Sequence, residues 1–372
     1  MKKTISNRLK KFKKELRGYA NFLIGYPCNQ IQNYKPLLDF FSFSLNNVGD
    51  PFAGSNYQVN SHKFEREALQ FFARLYKISA KEFWGYVTSG GTEGNMYGLF
   101  VGRELHPEGI LYFSEDTHYS IPKIARVLKM PHIMVRSLPN GEIDYQELES
   151  LLRANRRKPA IFNLNIGTTM KGAIDNLDTV LAILKRNNIK KYYIHCDAAL
   201  FGMTLPFIKG APIVNFKKPI GSIAISGHKF IGSPIPCGVV LTRKEFVRKI
   251  ERQIEYVRIL DTTISGSRNG QAPIILWYAI QSKGKNGFKK EAAQSMQNAR
   301  YLFKKLVQMQ IPCMLNSYSN IVVFKKPSER LVKKWQLATY EGFSHIVVMP
   351  HVVKEKIDAF LRDLSKDVNY ST

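Results

Sequence analysis

Ser226-Gly227-His228-Lys229 closes the apolar run Gly221-Ser222-Ile223-Ala224-Ile225. Upstream, Asp197-Ala198-Ala199 closes a second run, Tyr192-Tyr193-Ile194-His195-Cys196. Short apolar runs bounded by polar and small residues read as buried strands. Each run therefore delivers a charged group to a strand end, a lysine amine from one and a carboxylate from the other. Taken alone, Lys229 reads as an ion-paired or surface lysine, and Asp197 as a helix N-cap. Taken together they match what pyridoxal phosphate requires. That cofactor needs a lysine amine for a Schiff base and an acid to keep its pyridine nitrogen protonated. Ala198 and Ala199 favour this reading of Asp197, because a flat ring can lie close to small side chains.

Outward from these two strands the chain alternates strand and helix. Strands are predicted over 84–88, 110–113, 133–135, 160–166, 192–196, 222–225 and 237–241, and helices over 92–105, 144–154 and 175–187. Repeated strand–helix units with short connections predict an α/β fold, a mainly parallel sheet with helices on both faces. Beyond Arg243 helices are expected over 244–257 and 273–281, and a long one over 288–310. The strands and helices that follow predict a small C-terminal α+β domain. The expected division is a basic helix and arm over 1–60, a large domain over 61–284 and a small one over 285–372.

In an open α/β sheet, ligands bind beyond the carboxyl ends of the strands. The groups expected there are Ser89 to Asn95, His118, Thr168, Asp197 and Ser226 to Lys229. Ser89-Gly90-Gly91-Thr92-Glu93-Gly94-Asn95 opens a helix, so its backbone N–H groups and the helix's positive end suit an anion. The loop fits neither the dinucleotide nor the P-loop pattern. A tight strand–helix turn explains it equally well by itself; joined to Ser226 and His228 it forms a cup for one phosphate. His118 reads either as a capping or core histidine or as an imidazole stacked on a cofactor ring.

The four cysteines, Cys28, Cys196, Cys237 and Cys313, are widely spaced. That argues against a zinc cluster or a disulfide framework, and points to a reducing, cytoplasmic setting. No metal is expected. No apolar run is long enough to span a bilayer, and the N-terminus lacks the apolar core of a signal peptide. The net charge of +26 admits an anionic partner, but its lysines and arginines are spread along the chain and no nucleic-acid motif accompanies them. The one concentrated basic segment, Lys2 to Arg17, reads as a solvated helix packing a narrow apolar stripe, with an anionic surface as the other reading.

The ordered motifs resemble those of group II pyridoxal-phosphate amino-acid decarboxylases, in the branch of histidine decarboxylases and plant-type serine decarboxylases. The resemblance runs from about Gly25 to Asp367. It is carried by Gly25-Tyr26-Pro27, Asn46-Asn47-Val48-Gly49-Asp50, Gly90-Gly91-Thr92-Glu93-Gly94-Asn95, Asp116-Thr117-His118-Tyr119-Ser120, Gly141-Glu142-Ile143-Asp144, Asn165-Ile166-Gly167-Thr168-Thr169, Asp197-Ala198-Ala199, Ser226-Gly227-His228-Lys229 and Gly266-Ser267-Arg268-Asn269-Gly270. Ser89 departs from it, standing where relatives often carry asparagine.

The resemblance implies a fold-type I enzyme with a sheet of the seven-stranded type, working as a homodimer with its site at the subunit interface. It implies that Lys229 carries pyridoxal 5'-phosphate as a Schiff base and that Asp197 pairs with the ring nitrogen. His118 would cover one ring face and Ala199 the other. Gly91, Thr92, Ser226 and His228 would hold the phosphate, and Thr168 would lie near the phenolic oxygen. Tyr256 is the positional match for a mobile-loop tyrosine that protonates the substrate carbon, and Arg268 would serve the partner's site.

The expected reaction is loss of carbon dioxide from a free amino acid. Gly49-Asp50-Pro51-Phe52, Ser55-Asn56-Tyr57 and Val347-Val348-Met349-Pro350 look more like the serine enzymes. Gly90-Gly91 and Asp197-Ala198-Ala199 look more like the bacterial histidine enzymes, and L-histidine is the leading substrate. Two rival readings are a transaminase or lyase, in which Lys229 moves protons at the substrate carbon, and a basic binding protein on an inactive scaffold. The decarboxylase-type His118 and Ser226-Gly227-His228-Lys229 argue against the first, and the joint presence of Lys229, Asp197 and His118 against the second.

Overall fold

The computed structural model describes residues 2–54, 56–250, 252–254 and 259–367. The chain forms two compact units. The larger is Cys28–Ala293; the smaller joins Met1–Pro27 to Gln294–Thr372. The arm expected over 1–60 is thus divided between them. Leu23 and Gly25 offer their carbonyls to His351 Nε2 (2.9 Å) and His345 Nε2 (3.0 Å) in the smaller unit. Asn29 N donates to the Lys229 carbonyl (3.1 Å), and Asn47 Nδ2 to Glu65 (2.6 Å), in the larger.

The first helices are α1 (Lys2–Asn21), α2 (His62–Leu75), α3 (Gly91–Leu105), α4 (Ser120–Val127), α5 (Tyr145–Ala154) and α6 (Leu177–Arg186). The central sheet of the larger unit comprises β1 (Phe83–Thr88), β2 (Ile110–Ser114), β3 (His132–Val135), β4 (Ala160–Asn165), β5 (Tyr192–Asp197), β6 (Ser222–Ser226) and β7 (Gly238–Arg243). Its order is β1-β7-β6-β5-β4-β2-β3. Strand β7 runs antiparallel to β1 and β6, and the other pairings are parallel. Strands β1, β2, β4 and β6 are buried along their whole length, as expected when helices cover a parallel sheet. Helix α3 packs on β5, β6 and β7, and α2 on β1 and β7. Asp144 caps α5, its Oδ1 accepting from Gln146 N (3.0 Å) and Glu147 N (3.1 Å).

The helix expected over 244–257 is corrected by the structure. Helix α7 covers only Lys244–Val247, and the hairpin β8 (Arg252–Ile254) and β9 (Ile259–Asp261) follows, with Ile254 opposite Ile259. The β-branched residues of this stretch favour extended backbone over a continued helix. Helix α8 (Gln271–Gln308) is broken at Gly284 (φ 60°, ψ 179°), between the two helices expected there.

The smaller unit carries an antiparallel sheet of β10 (Cys313–Leu315), β11 (Ile321–Lys325), β12 (Ala338–Tyr340) and β13 (Phe343–Val347), in the order β10-β11-β13-β12. Helices α9 (Glu329–Trp335) and α10 (Lys354–Leu364) accompany it. The apolar stripe of α1 was expected to pack; within this chain Ile5, Leu9, Phe12 and Leu16 are exposed. Among the described residues no helix is long and apolar enough to cross a membrane.

Candidate active site

Strands β5 and β6 are parallel neighbours, with Asp197 opposite Ala224. Asp197 is therefore the last residue of one strand, and Lys229 lies in the wide helical turn Gly227–Ile231 that follows the other. The turn is held at several points. Gly227 N donates to the Cys237 carbonyl (2.8 Å), Ser233 N to the Gly227 carbonyl (3.1 Å), and Asn29 Nδ2 to the Phe230 carbonyl (2.9 Å). A lysine on a turn pinned this way keeps its backbone fixed while its side chain turns.

Burial pushes the Lys229 amine below the usual lysine range, with Asp197 and Cys28 pulling the other way. Loss of hydration disfavours the ammonium form, so more of the side chain is free amine, the form that attacks a carbonyl. Asp197 is buried. Its Oδ1 accepts from Ala199 N (3.1 Å) and its Oδ2 from Asn95 Nδ2 (2.7 Å). Burial also lowers the His118 pKa, Asp197 opposing this and Lys229 and Lys123 adding to it. His118 Nδ1 accepts from Ser120 N (3.3 Å) and meets Ser120 Oγ at 2.8 Å, and its ring lies 4.2 Å from that of Tyr119. Asp197 and Lys229 thus both act electrostatically on His118, and Asp197 on Lys229.

The second group forms a cup at the start of α3. A Cβ built on Gly91 would stand 2.8 Å from Ser226 Oγ and 3.0 Å from the Ala199 Cβ; one on Gly90 would stand 3.8 Å from His228 Cε1. Gly91 therefore packs closely on Ser226 and Ala199, with His228 beside Gly90, at a helix start whose first N–H groups have no partner within the helix. Glu93 shapes the loop without filling the cup: its Oε2 accepts from Ser89 N (2.7 Å) and its Oε1 from Tyr86 Oη (3.0 Å). Thr92 is exposed. His228 Nδ1 donates to the Cys237 carbonyl (2.9 Å), leaving Nε2 for a ligand. Burial holds His228 below the usual imidazole range. A bound phosphate dianion would reverse that and make Nε2 a donor. Gly91→Ala is expected to push Ser226 Oγ out of place and weaken cofactor retention about tenfold. Equilibrium dialysis of the bound cofactor checks this, and unchanged retention would remove Gly91 from the cup.

Thr168 is buried just beyond β4. Its Oγ1 accepts from Ala173 N (3.0 Å), so its own hydroxyl proton can still be donated. Tyr256 lies outside the described residues. The Arg268 guanidinium is buried in an ion pair with Glu65, donates to the Gly49 carbonyl (2.7 Å) and lies over the Tyr86 ring. Within this chain it ties residues 46–50, α2 and β1 together. Sequence reading also passed over the functional weight of Asn95, whose amide holds Asp197. It lay within a quoted motif, but only the fold shows what its side chain faces.

A desolvated lysine amine, a buried carboxylate, an imidazole, and a helix start flanked by Ser226 and His228 fit pyridoxal phosphate in donor chemistry. Fold and site together define a fold-type I pyridoxal phosphate enzyme. The pyridoxal-dependent decarboxylase conserved domain matches residues 100–325. Serine decarboxylase 2 of Oryza sativa subsp. japonica is 49% identical over 364 residues, covering 97% of this chain and 78% of the relative. Histidine decarboxylase of Solanum lycopersicum is 47% identical over 367 residues, covering 97% and 89%. The crystal structure of L-methionine decarboxylase from Streptomyces sp. 590 superposes with a TM-score of 0.89 at 26% identity, covering 97% of this chain and 95% of the other. The chain belongs to the pyridoxal-dependent decarboxylase family and is a pyridoxal phosphate-dependent decarboxylase.

Proposed function

We propose that this enzyme releases carbon dioxide from free L-histidine to give histamine. The gathering of Lys229, Asp197 and His118 at the ends of β2, β5 and β6 carries the decarboxylase chemistry. The substrate follows from where the motif resemblances fall. The stretches that look like bacterial histidine enzymes, Gly90-Gly91 and Asp197-Ala198-Ala199, line the cofactor cup. The serine-like Gly49-Asp50-Pro51-Phe52 belongs to a structural clasp, where Asp50 Oδ2 accepts from Trp84 Nε1 (2.9 Å) and Thr262 Oγ1 (3.1 Å). L-Serine, giving ethanolamine by the same chemistry, is the second reading, favoured by the 49% identity to the rice enzyme.

Pyridoxal phosphate, when bound, supplies a sink for the electron pair left behind by carbon dioxide. Lys229 gives the covalent attachment point through Nζ and yields it to the substrate amine. Asp197 would pair with the ring nitrogen and hold a proton there. His118 and Ala199 would cover the two ring faces and limit its tilt, which would keep the scissile bond aligned. Thr168 would donate to the phenolic oxygen, while Gly91, Thr92, Ser226 and His228 would hold the phosphate. Tyr256 is the residue we assign to protonate the substrate carbon. The working unit in this reading is a cytoplasmic homodimer.

The test is amine release by the purified protein with pyridoxal phosphate, given L-histidine and L-serine in parallel. Histamine as the dominant product is the expected result, and ethanolamine instead would move the substrate to serine. Keto acid formation without either amine would overturn decarboxylation in favour of transamination.

A further inference from the structure

Tyr193, His195 and Asp197 alternate along β5 and so share one face of the sheet. Helix α3 lies against that face with unusual closeness. A Cβ on Gly98 would come within 2.2 Å of His195 Nδ1 and 2.7 Å of Ser222 Oγ, and one on Gly102 within 2.8 Å of the Tyr193 ring. Asn95, Gly98 and Gly102 fall on one side of the helix. Glycine at two of these positions lets the Asn95 amide descend into the strand layer. Ser222 stands beside His195 on β6, the two residues being register partners.

The polar groups brought together there form an unbroken chain. Tyr193 Oη donates to Ser222 Oγ (2.8 Å), and Ser222 Oγ meets His195 Nδ1 at 2.8 Å. His195 Nε2 meets Asn95 Oδ1 at 3.0 Å, and Asn95 Nδ2 donates to Asp197 Oδ2 at 2.7 Å. The directions are fixed from the carboxylate backwards. A carboxylate accepts only, so the Asn95 NH₂ must face it and the Asn95 oxygen must face His195. His195 then carries its proton on Nε2, and its bare Nδ1 accepts from the Ser222 hydroxyl. Burial lowers the His195 pKa to about 4, so the ring is neutral at ordinary pH and this tautomer persists. Every dipole points its positive end toward Asp197.

We infer that His195, acting through Asn95, is a positioning residue that holds the Asp197 carboxylate aimed at the cofactor ring nitrogen, with Ser222 and Tyr193 fixing its tautomer. This rests on the reading of Asp197 as the ring-nitrogen partner. Aligned hydrogen bonds in a low-dielectric interior strengthen one another and favour the anion at their end. Without His195 the Asn95 amide loses the contact that sets its orientation, and its donation to the carboxylate is no longer fixed.

The experiment compares the affinity of the full chain for pyridoxal phosphate and for an analogue with C–H in place of the ring nitrogen. Wild type is expected to prefer the natural cofactor. His195→Phe should cut that preference about tenfold, the size of one charge-assisted hydrogen bond, by weakening the natural cofactor and leaving the analogue unchanged. Ser222→Ala, a smaller perturbation, should act in the same direction by about threefold, the size of one neutral hydrogen bond. It keeps the test open if the histidine variant folds poorly. Equal loss for both ligands would make His195 merely structural and overturn the relay, as would an undiminished preference. A wild type that binds both ligands equally would instead overturn the role of Asp197, and the relay with it.

Discussion

Lys229→Ala is expected to abolish amine formation. The residue provides the one lysine amine in the turn Gly227–Ile231 that follows β6. Its desolvated amine is what makes covalent attachment of the cofactor favourable near neutral pH. The fold should tolerate the change. The turn is anchored through backbone and Asn29 contacts, not through the lysine side chain, and removing a buried amine removes a desolvation cost. Two measurements check the prediction. Histamine and ethanolamine release should fall to background. Borohydride reduction followed by intact-mass analysis should add the cofactor's mass to wild type and none to the variant. Steady-state turnover near the wild-type rate would refute the role of Lys229.

Much of this site was legible in the sequence because strand ends are written locally. An apolar run ending in Asp-Ala-Ala, another ending in Ser-Gly-His-Lys, and a Gly-Gly-Thr helix start each announce a side chain at a strand's carboxyl end, and the α/β pattern brings those ends together. What escaped was whatever depends on the facing layer. His195 sits inside an apolar strand, and nothing local distinguishes it from a satisfied core histidine. Its spacing of two from Asp197 was the available signal, since it puts both on one face. The partner of Arg268 escaped for the same reason: its sequence context did not show that Glu65, far away in the chain, would bury against it. The segment 244–257 was misread because Val247 and Ile250 recur at helical spacing. Both pack on the core, Val247 buried and Ile250 partly so, and the chain turns into a hairpin after them. The division of the arm depended on histidines beyond residue 340, a contact no local pattern encodes.

Asp197→Ala should lower the rate of carbon dioxide release by about three orders of magnitude or more, the scale seen when a preorganised charge-stabilising group is lost. The argument is one of proton location. Electrons left at the substrate carbon are accommodated only if the ring nitrogen keeps its proton, and a buried carboxylate paired with that nitrogen, the role proposed for Asp197, would keep it there. Asn95 and Ala199 N occupy one lone pair on each carboxylate oxygen and leave the others for the ring. Three variants separate charge from packing. Asp197→Asn keeps the volume and can still accept from Asn95, but it has no charge, so it should be nearly as slow as alanine. Asp197→Glu keeps the charge and displaces it by a methylene, so it should retain more activity than either. Single-turnover rates on the cofactor-loaded protein give the ranking, and the pH midpoint of the bound cofactor's absorbance gives an independent readout. A protonated ring nitrogen withdraws electrons and makes the lysine-linked nitrogen less basic, so that midpoint should rise in the asparagine and alanine variants. An asparagine variant that works at the wild-type rate with an unmoved midpoint would mean that shape, not charge, is what Asp197 contributes.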